Sequence, residues 1–249
     1  MTNVLGIDIG GTGMKAAPVD LTTGRLLGDR VKLPTPHPGK PEAMGQVARQ
    51  LVTGFGWAGP VGVTFPGVVT SGVIRTAANL DPEWIGVDAR QHFGSAIGLP
   101  VTVLNDADAA GIAEMRFGAG RDQRGTVLLI TLGTGIGTAL FHDGALIPNA
   151  EFGHIELHGH DAEHLASERA REENDLSWGK WSSRVDEYLD KMEQLLSPDL
   201  IVIGGGISKR SNKFIPKLTL RATVVPAALL NDAGIVGAAL AAATQPSPA

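Results

Sequence analysis

A strand, a glycine-rich turn and a second strand occur twice in this chain. Val4–Ile9 reads as a buried apolar strand, the turn falls at Gly10-Gly-Thr-Gly13, and Gly13–Asp20 reads as its hairpin partner. After a glycine-rich linker, Gly118–Gly125, the pattern returns as Thr126–Leu132, a turn at Gly133–Gly137, and Thr138–His142. This duplication constrains the fold more than any single motif. It predicts two related halves, each with its own phosphate-type turn, and a ligand in the cleft between them.

The segments between alternate strand and helix patterns. A third strand is expected over Arg25–Leu33, followed by a connector, Pro34–Pro41, that holds four prolines. Helical spacing of Met44, Val47, Leu51 and Phe55 predicts a helix over Glu42–Phe55. Strands follow at Val61–Phe65 and Val101–Leu104, with a short hairpin around Thr70-Ser-Gly72 and helices near Val87–Ile97 and Ala107–Phe117. Helices are also expected over Asp161–Glu173, Ser177–Leu196 and Asp232–Ala243, with a buried strand at Leu200–Ile203 running into Gly204-Gly-Gly206.

Bulk properties narrow the function classes. The 249 residues suffice for a substantial core, and 43% hydrophobic with 19% charged residues is ordinary for a globular protein. A formal charge of −5 argues against general nucleic-acid binding. The absence of cysteine excludes disulfides and thiolate metal sites and suits a reducing cytoplasm. No basic, apolar leader opens the chain and no apolar run is long enough to span a bilayer, so a cytoplasmic protein without membrane contact is expected.

Several motifs carry chemistry. In Asp8-x-Gly10-Gly11-Thr12, a carboxylate at a strand end suits a hydrated Mg²⁺, the glycines let backbone N–H groups face phosphate oxygens, and the Thr12 hydroxyl adds a donor. Lys15 adds charge. A tight hairpin would need the same glycines for geometry alone. Gly133-x-Gly135-x-Gly137 lacks the spacing of a dinucleotide fingerprint and leads into a strand-like segment.

Asn105-Asp106 ends one apolar run and opens a helix-like stretch between the two glycine turns. Asp106 suits a general base toward a hydroxyl and Asn105 a hydrogen bond to its neighbour, although Asp at this place also serves as a helix N-cap. Glu151-Phe-Gly-His154 offers paired groups for adjacent sugar hydroxyls. Four of the seven histidines cluster there, at 154, 158, 160 and 164, but Gly153 and Gly159 interrupt the helix that a His-x-x-x-His metal site needs. Glu156 and Asp161 read as ordinary surface partners. Gly206–Arg221 carries Lys209, Arg210, Lys213, Lys217 and Arg221 with no acidic residue, as either a solvated face or a track for a polyanion. Arg121 and Arg124 extend it. Trp84 lies nearest a plausible substrate loop.

Together these motifs resemble the ROK family of sugar kinases and repressors, within the actin-like ATPase (ASKHA) superfamily. The resemblance implies an α/β fold of two actin-like, ribonuclease H-like lobes around a central cleft. The small lobe would be residues 1–115, with the C-terminal helix 232–243 returning to it, and the large lobe residues 116–231. It implies phosphate contacts from Asp8, Gly10, Gly11, Thr12 and Lys15, then Thr131, Gly133, Thr134 and Gly135, then Gly205, Gly206 and Lys209. Asp8 would hold Mg²⁺ through water. Asp106 would be the catalytic base, with sugar contacts from Asn79, Asn105, Asp106, Glu151 and His154.

Most family members continue from that histidine into a cysteine-rich zinc loop that ends in a sugar-contacting Glu. Here the loop is short and has no cysteine, so no structural zinc is expected, and Glu163 of Glu163-x-Leu-Ala-Ser167 takes the place of that Glu. The shortened form is similar to family members that transfer phosphate from polyphosphate to glucose or mannose. Thr76-Ala-Ala-Asn79, Pro148-Asn-Ala-Glu151 and Gly204-Gly-Gly-Ile-Ser-Lys209 agree with that subgroup. The resemblance therefore implies transfer from inorganic polyphosphate, with ATP as a second donor, to the 6-hydroxyl of glucose, by a homodimer. The alternatives are an ATP-dependent glucokinase or glucomannokinase and, more remotely, a non-catalytic sugar sensor. A repressor would need a DNA-binding segment ahead of the first glycine turn, where the sequence leaves no room.

Overall fold

The computed structural model describes residues 2–78 and 80–244. Two units partition the chain: one runs to Ala113 and resumes at Asp232, and the other is Glu114–Asn231.

In the first unit, β1 (Asn3–Gly10) and β2 (Gly13–Asp20) form the expected hairpin, in register from Asn3 opposite Asp20 to Gly10 opposite Gly13. β3 (Val31–Leu33) pairs with β2 and is shorter than the expected strand over Arg25–Leu33; Leu26 only bridges to Val19. Then come α1 (Pro41–Gly54), β4 (Val61–Phe65), a small hairpin of β5 (Val69–Thr70) and β6 (Val73–Ile74), α2 (Ala89–Ile97), β7 (Val101–Asn105) and α3 (Asp106–Phe117). The sheet order is β3-β2-β1-β4-β7, with β4 parallel to both β1 and β7. Every residue of β4 is buried, as expected of a parallel strand covered on both faces. Asp88 caps α2 by accepting from Gln91 N–H, and Gly98 ends it in the left-handed conformation. Trp84 lies in this core, stacked on Phe93 and donating to Gly39 O, which removes it from the set of exposed sugar-stacking candidates.

The second unit repeats the plan. β8 (Thr126–Leu132), β9 (Ile136–His142) and β10 (Ala145–Ile147) form an antiparallel meander. A two-stranded hairpin follows, β11 (Glu156–Leu157) with β12 (His160–Asp161). The single helix expected over Asp161–Glu173 is two: α4 (Glu163–Ala166) and α5 (Glu168–Glu173). Ser167 breaks it, adopting an extended conformation and accepting from Ala170 N–H to cap the second piece. α6 (Trp178–Leu196) then buries Trp181, Val185, Tyr188, Leu189 and Met192 on one face. β13 (Leu200–Gly204) and β14 (Thr223–Pro226) complete a sheet ordered β10-β9-β8-β13-β14, with β13 parallel to β8 and β14. Each sheet is therefore a three-stranded antiparallel meander whose first strand leads on to two further parallel strands.

α7 (Ala233–Thr244) returns to the first unit and packs on β1 and β4. It is apolar on every side, because it is buried along most of its length. Close approach to the sheet needs glycine at position 62, where a Cβ would lie 1.8 Å from Ala238 O. Among the described residues no helix is long and apolar enough to cross a membrane.

Candidate active site

In the first unit the parallel strands β1, β4 and β7 end side by side, with Phe65 opposite Asn105. Residues far apart in sequence thereby share one sheet edge, the carboxyl end, where α/β sheets place their ligands. Asp8 Oδ1 accepts from the Thr64 hydroxyl at 3.1 Å, and that hydroxyl in turn accepts from Ile9 N–H at 2.9 Å. Lys15 Nζ lies 3.2 Å from Asp8 Oδ2. The first turn of α7 reaches the same carboxylate, since a Cβ on Gly234 would stand 2.6 Å from Asp8 Oδ1. A helix start beside a carboxylate is electrostatically favourable. Gly11 and Thr12 are exposed at the hairpin tip, and the buried Thr35 donates to Gly10 O at 2.5 Å.

Asn105 and Asp106 sit where β7 becomes α3. Asn105, rather than Asp106, serves as N-cap: its Oδ1 accepts from Asp108 N–H at 3.0 Å, and its Nδ2 donates to Gly67 O at 3.2 Å. Asn105 is buried, whereas Asp106 is half-buried at the first position of the helix, with Oδ1 accepting from Ala107 N–H at 2.9 Å. The cap thus falls to the amide and leaves the acid at the helix start. Asn79 lies outside the described residues.

In the second unit, β8 and β13 end together, with Gly204 opposite Thr131. The turns Gly133–Gly135 and Gly204–Gly206 are therefore neighbours. Gly205 has φ +82°, and a Cβ there would meet Leu132 O at 2.4 Å. Thr131 donates to Gly137 O at 3.4 Å, Gly133 N–H to Gly135 O at 3.0 Å, and Arg169 N–H to Gly133 O at 3.1 Å. Thr134 stands exposed at the tip.

Glu151, His154 and Glu163, all in this unit, come together. Thr138, buried in β9, donates to Ala150 O and accepts from Phe152 N–H at 3.1 Å, which holds the segment carrying Glu151. Glu163 Oε2 accepts from Ile136 N–H at 3.3 Å, tying the start of α4 to the glycine turn. His154 Nε2 lies 3.8 Å from Glu151 Oε2, and its Nδ1 lies 3.0 Å from Asp161 Oδ2. Burial raises the Glu151 carboxyl above its ordinary range, with Glu163 adding to the rise and His154 opposing it. The Asp161 hydrogen bond raises the His154 imidazole above its ordinary value against the opposing effect of burial.

The other histidines disperse. His158 pairs with Glu187 at 2.5 Å, and His164 lies 3.9 Å from Glu163 Oε1. Among the described residues, the one group of three metal-capable side chains is His154, Asp161 and Glu163, with one atom from each within 4.8 Å of the others.

The basic run after Gly206 forms two short 3-10 turns, Gly206–Lys213 and Ile215–Lys217, anchored by Phe214 against Trp181. Lys209, Arg210, Lys213 and Lys217 are exposed and make no salt bridge among the described residues. Arg221 does not belong with them: its Nε donates to Glu193 at 2.9 Å, and Glu193 also accepts from Ala222 N–H. Arg121 pairs with its neighbour Asp122 at 3.4 Å. Glu168 was not marked by sequence reasoning; its Oε2 would lie 3.6 Å from a Cβ on Gly206, and burial raises its carboxyl.

Residues 4–173 match the ROK family profile. The chain belongs to the ROK family. This ROK chain is 54% identical over 237 residues to a polyphosphate glucokinase of Mycobacterium tuberculosis (strain CDC 1551 / Oshkosh), covering 95% of this chain and 89% of that one. It superposes on the crystal structure of an inorganic polyphosphate/ATP-glucomannokinase from Arthrobacter sp. strain KM with TM-score 0.96 and 49% identity, covering 99% of this chain and 100% of that one. A ROK family glucokinase from Streptomyces griseus, crystallised with glucose and AMPPNP, gives TM-score 0.84 and 27% identity over 98% of this chain and 100% of that one. The expected actin-like α/β fold is thus that of the ROK sugar kinases.

Sequence reasoning also left Thr64 and Thr138 unmarked and read Asp161 only as a surface partner. Thr64 and Thr138 carried a signal, since a hydroxyl buried among apolar strand residues must find a partner. Asp161 carried none beyond its nearness to His154.

Proposed function

We propose that this ROK kinase transfers a phosphoryl group from inorganic polyphosphate, and also from ATP, to the 6-hydroxyl of glucose. Asp106 takes the hydroxyl proton and aligns the nucleophile. Asn105, Glu151, His154 and Glu163 grip the sugar, and Asn79 is a further candidate contact. The turns at Gly10–Thr12 and Thr131–Gly135 hold the transferring phosphate, Lys15 supplies charge to it, and Gly205, Gly206 and Lys209 receive the rest of the donor. The protein then contributes positioning and charge stabilisation, which is what phosphoryl transfer needs.

Asp8 suits magnesium. Its two oxygens each accept one hydrogen-bonding partner, Thr64 or Lys15, and each keeps a lone pair. Magnesium typically takes one or two carboxylates and completes its shell with water and phosphate. Asp8 would hold it through water, and the ion would neutralise phosphate charge. A cysteine-free chain suits the cytoplasm, where we place the enzyme as a homodimer that contacts neither membrane nor nucleic acid.

One observation carries the donor assignment. Lys209, Arg210, Lys213 and Lys217 stand exposed, without a salt bridge among the described residues, directly after the Gly204–Gly206 turn. Inorganic polyphosphate is a chain of anions and would run along such a track. The test measures glucose 6-phosphate formation with Mg²⁺, using ATP and long-chain polyphosphate as sole donors at equal phosphoryl concentration. Turnover with polyphosphate supports the reading. Turnover with ATP alone leaves an ATP-dependent glucokinase and returns the basic run to solvated surface. The same assay with mannose separates glucokinase from glucomannokinase.

A further inference from the structure

His154 has two ring nitrogens facing different groups. Nδ1 lies 3.0 Å from Asp161 Oδ2, at the end of β12, while Nε2 lies 3.8 Å from Glu151 Oε2. Asp161 reaches this place through the tight hairpin of β11 and β12, in which Leu157 pairs with His160 and Glu156 with Asp161. His158 and Gly159 turn the chain, both with positive φ. Ala162 N–H donates to Ile155 O at 2.9 Å, closing the base of the hairpin just beyond Asp161. The hairpin therefore carries a carboxylate back to the ring of His154, which ends the short 3-10 turn Phe152–His154.

An ionised carboxylate only accepts hydrogen bonds, so the proton at this contact sits on Nδ1. In the neutral ring the bond at Nδ1 leaves Nε2 as an acceptor; in the imidazolium both nitrogens are donors. Three acidic groups face the ring: Asp161 at Nδ1, Glu151 at Nε2, and Glu163 from α4. Of these, Asp161 alone makes a hydrogen bond of ordinary length to it.

We propose that Asp161 is a positioning residue for the sugar. It locks the tautomer and ring orientation of His154, so that Nε2 together with Glu151 meets adjacent hydroxyls. The proposal rests on the reading of His154 as a sugar contact. The β11–β12 hairpin then serves to deliver to Nδ1 a carboxylate that no local motif around Glu151-x-Gly-His154 supplies.

The test compares Asp161→Ala, Asp161→Glu, His154→Ala and the double variant Asp161→Ala with His154→Ala in steady-state kinetics. Asp161→Ala should raise KM for glucose about tenfold, with kcat and donor KM within about twofold of the parent, as for one lost orienting hydrogen bond. Asp161→Glu should recover part of the loss. In the His154→Ala background the Asp161 change should add nothing. Nitrogen NMR of the imidazole, taken at a pH high enough for the ring to be neutral, should show the Nδ1–H tautomer in the parent and its loss in Asp161→Ala. Asp161 is about half exposed, so folding should survive, as a thermal midpoint checks.

If His154→Ala raises KM for glucose but Asp161→Ala does not, the positioning role is overturned and the sugar reading stands. If His154→Ala leaves KM unchanged, the sugar reading falls and the proposal with it. If the tautomer signature depends on a divalent ion and is abolished by chelator, an ion rather than Asp161 alone orients the ring, and the proposal is overturned.

Discussion

The carboxylate of Glu163 fills the space that a side chain on Gly135 would need: a Cβ there would stand 2.4 Å from Glu163 Oε2. A residue proposed for the sugar thus packs on a turn proposed for phosphate. Gly135→Ala should push Glu163 aside and raise KM for glucose and for the donor, each about tenfold. Initial-rate kinetics check this, and a glucose KM equal to the parent's would mean that Glu163 does not grip the sugar.

Asp106 sits at the start of α3 with its cap role taken by Asn105. Asp106→Asn keeps size and local hydrogen bonding and removes the base. We expect kcat to fall by about 10²–10⁴-fold with glucose affinity nearly unchanged. Turnover and calorimetric glucose binding measure the two separately; near-native turnover would remove Asp106 from the role of base.

The exposed lysines of the run after Gly206 should act on a polyanion more than on a nucleotide. Replacing Lys209, Lys213 and Lys217 together by Ala should raise KM for long-chain polyphosphate about tenfold and weaken its salt dependence. KM for ATP should move about twofold at most, because Lys209 alone adjoins the glycine turn. Equal effects on both donors would argue against an extended track.

α7 is seated against the first sheet through glycine at position 62. Gly62→Ala forces a methyl into a backbone carbonyl and should cost about 3 kcal/mol, read as a lower urea midpoint with an unchanged slope. A stability equal to the parent's would mean that α7 shifts freely on the sheet.

The raised pKa of His154 has a stability consequence with a definite sign. Its folded-state value lies above the ordinary 6.5, so its protonation favours the native state. That contribution is complete below the unfolded value and is lost as pH rises through the raised native value. Asp161→Ala removes the leading cause. The stability difference between parent and variant should therefore be largest at mildly acidic pH and shrink above neutrality. Urea unfolding across about pH 5–9 measures it. A difference that does not change with pH would mean that the pair contributes through packing alone.

Much of the architecture was legible because periodicity is local. β1 and β2, their repeat in β8 and β9, and α1 follow from apolar runs, glycine turns and helical spacing, and the sequence also reads α6 as a helix. The misread pieces are those where a local competitor wins. Ser167 prefers to cap α5 and so splits one expected helix. Asp161 ends a two-residue strand, because Gly159 turns the chain just before it. β14 escaped notice because a short edge strand carries too few residues for a pattern.

The sequence by itself determined the duplicated strand–turn–strand plan, the glycine turns, and the chemical types at positions 8, 106, 151, 154 and 163, since these depend on residue identity and short spacing. Only the tertiary structure decided which partners those side chains meet. Parallel pairing of β1 with β4 sets Thr64 against Asp8, and parallel pairing of β8 with β13 sets Gly205 against Leu132. The same folding withdraws Arg221 to Glu193 and gives His154 to Asp161. The reason is physical: strand register and hairpin closure join residues whose separation along the chain leaves no trace in local composition.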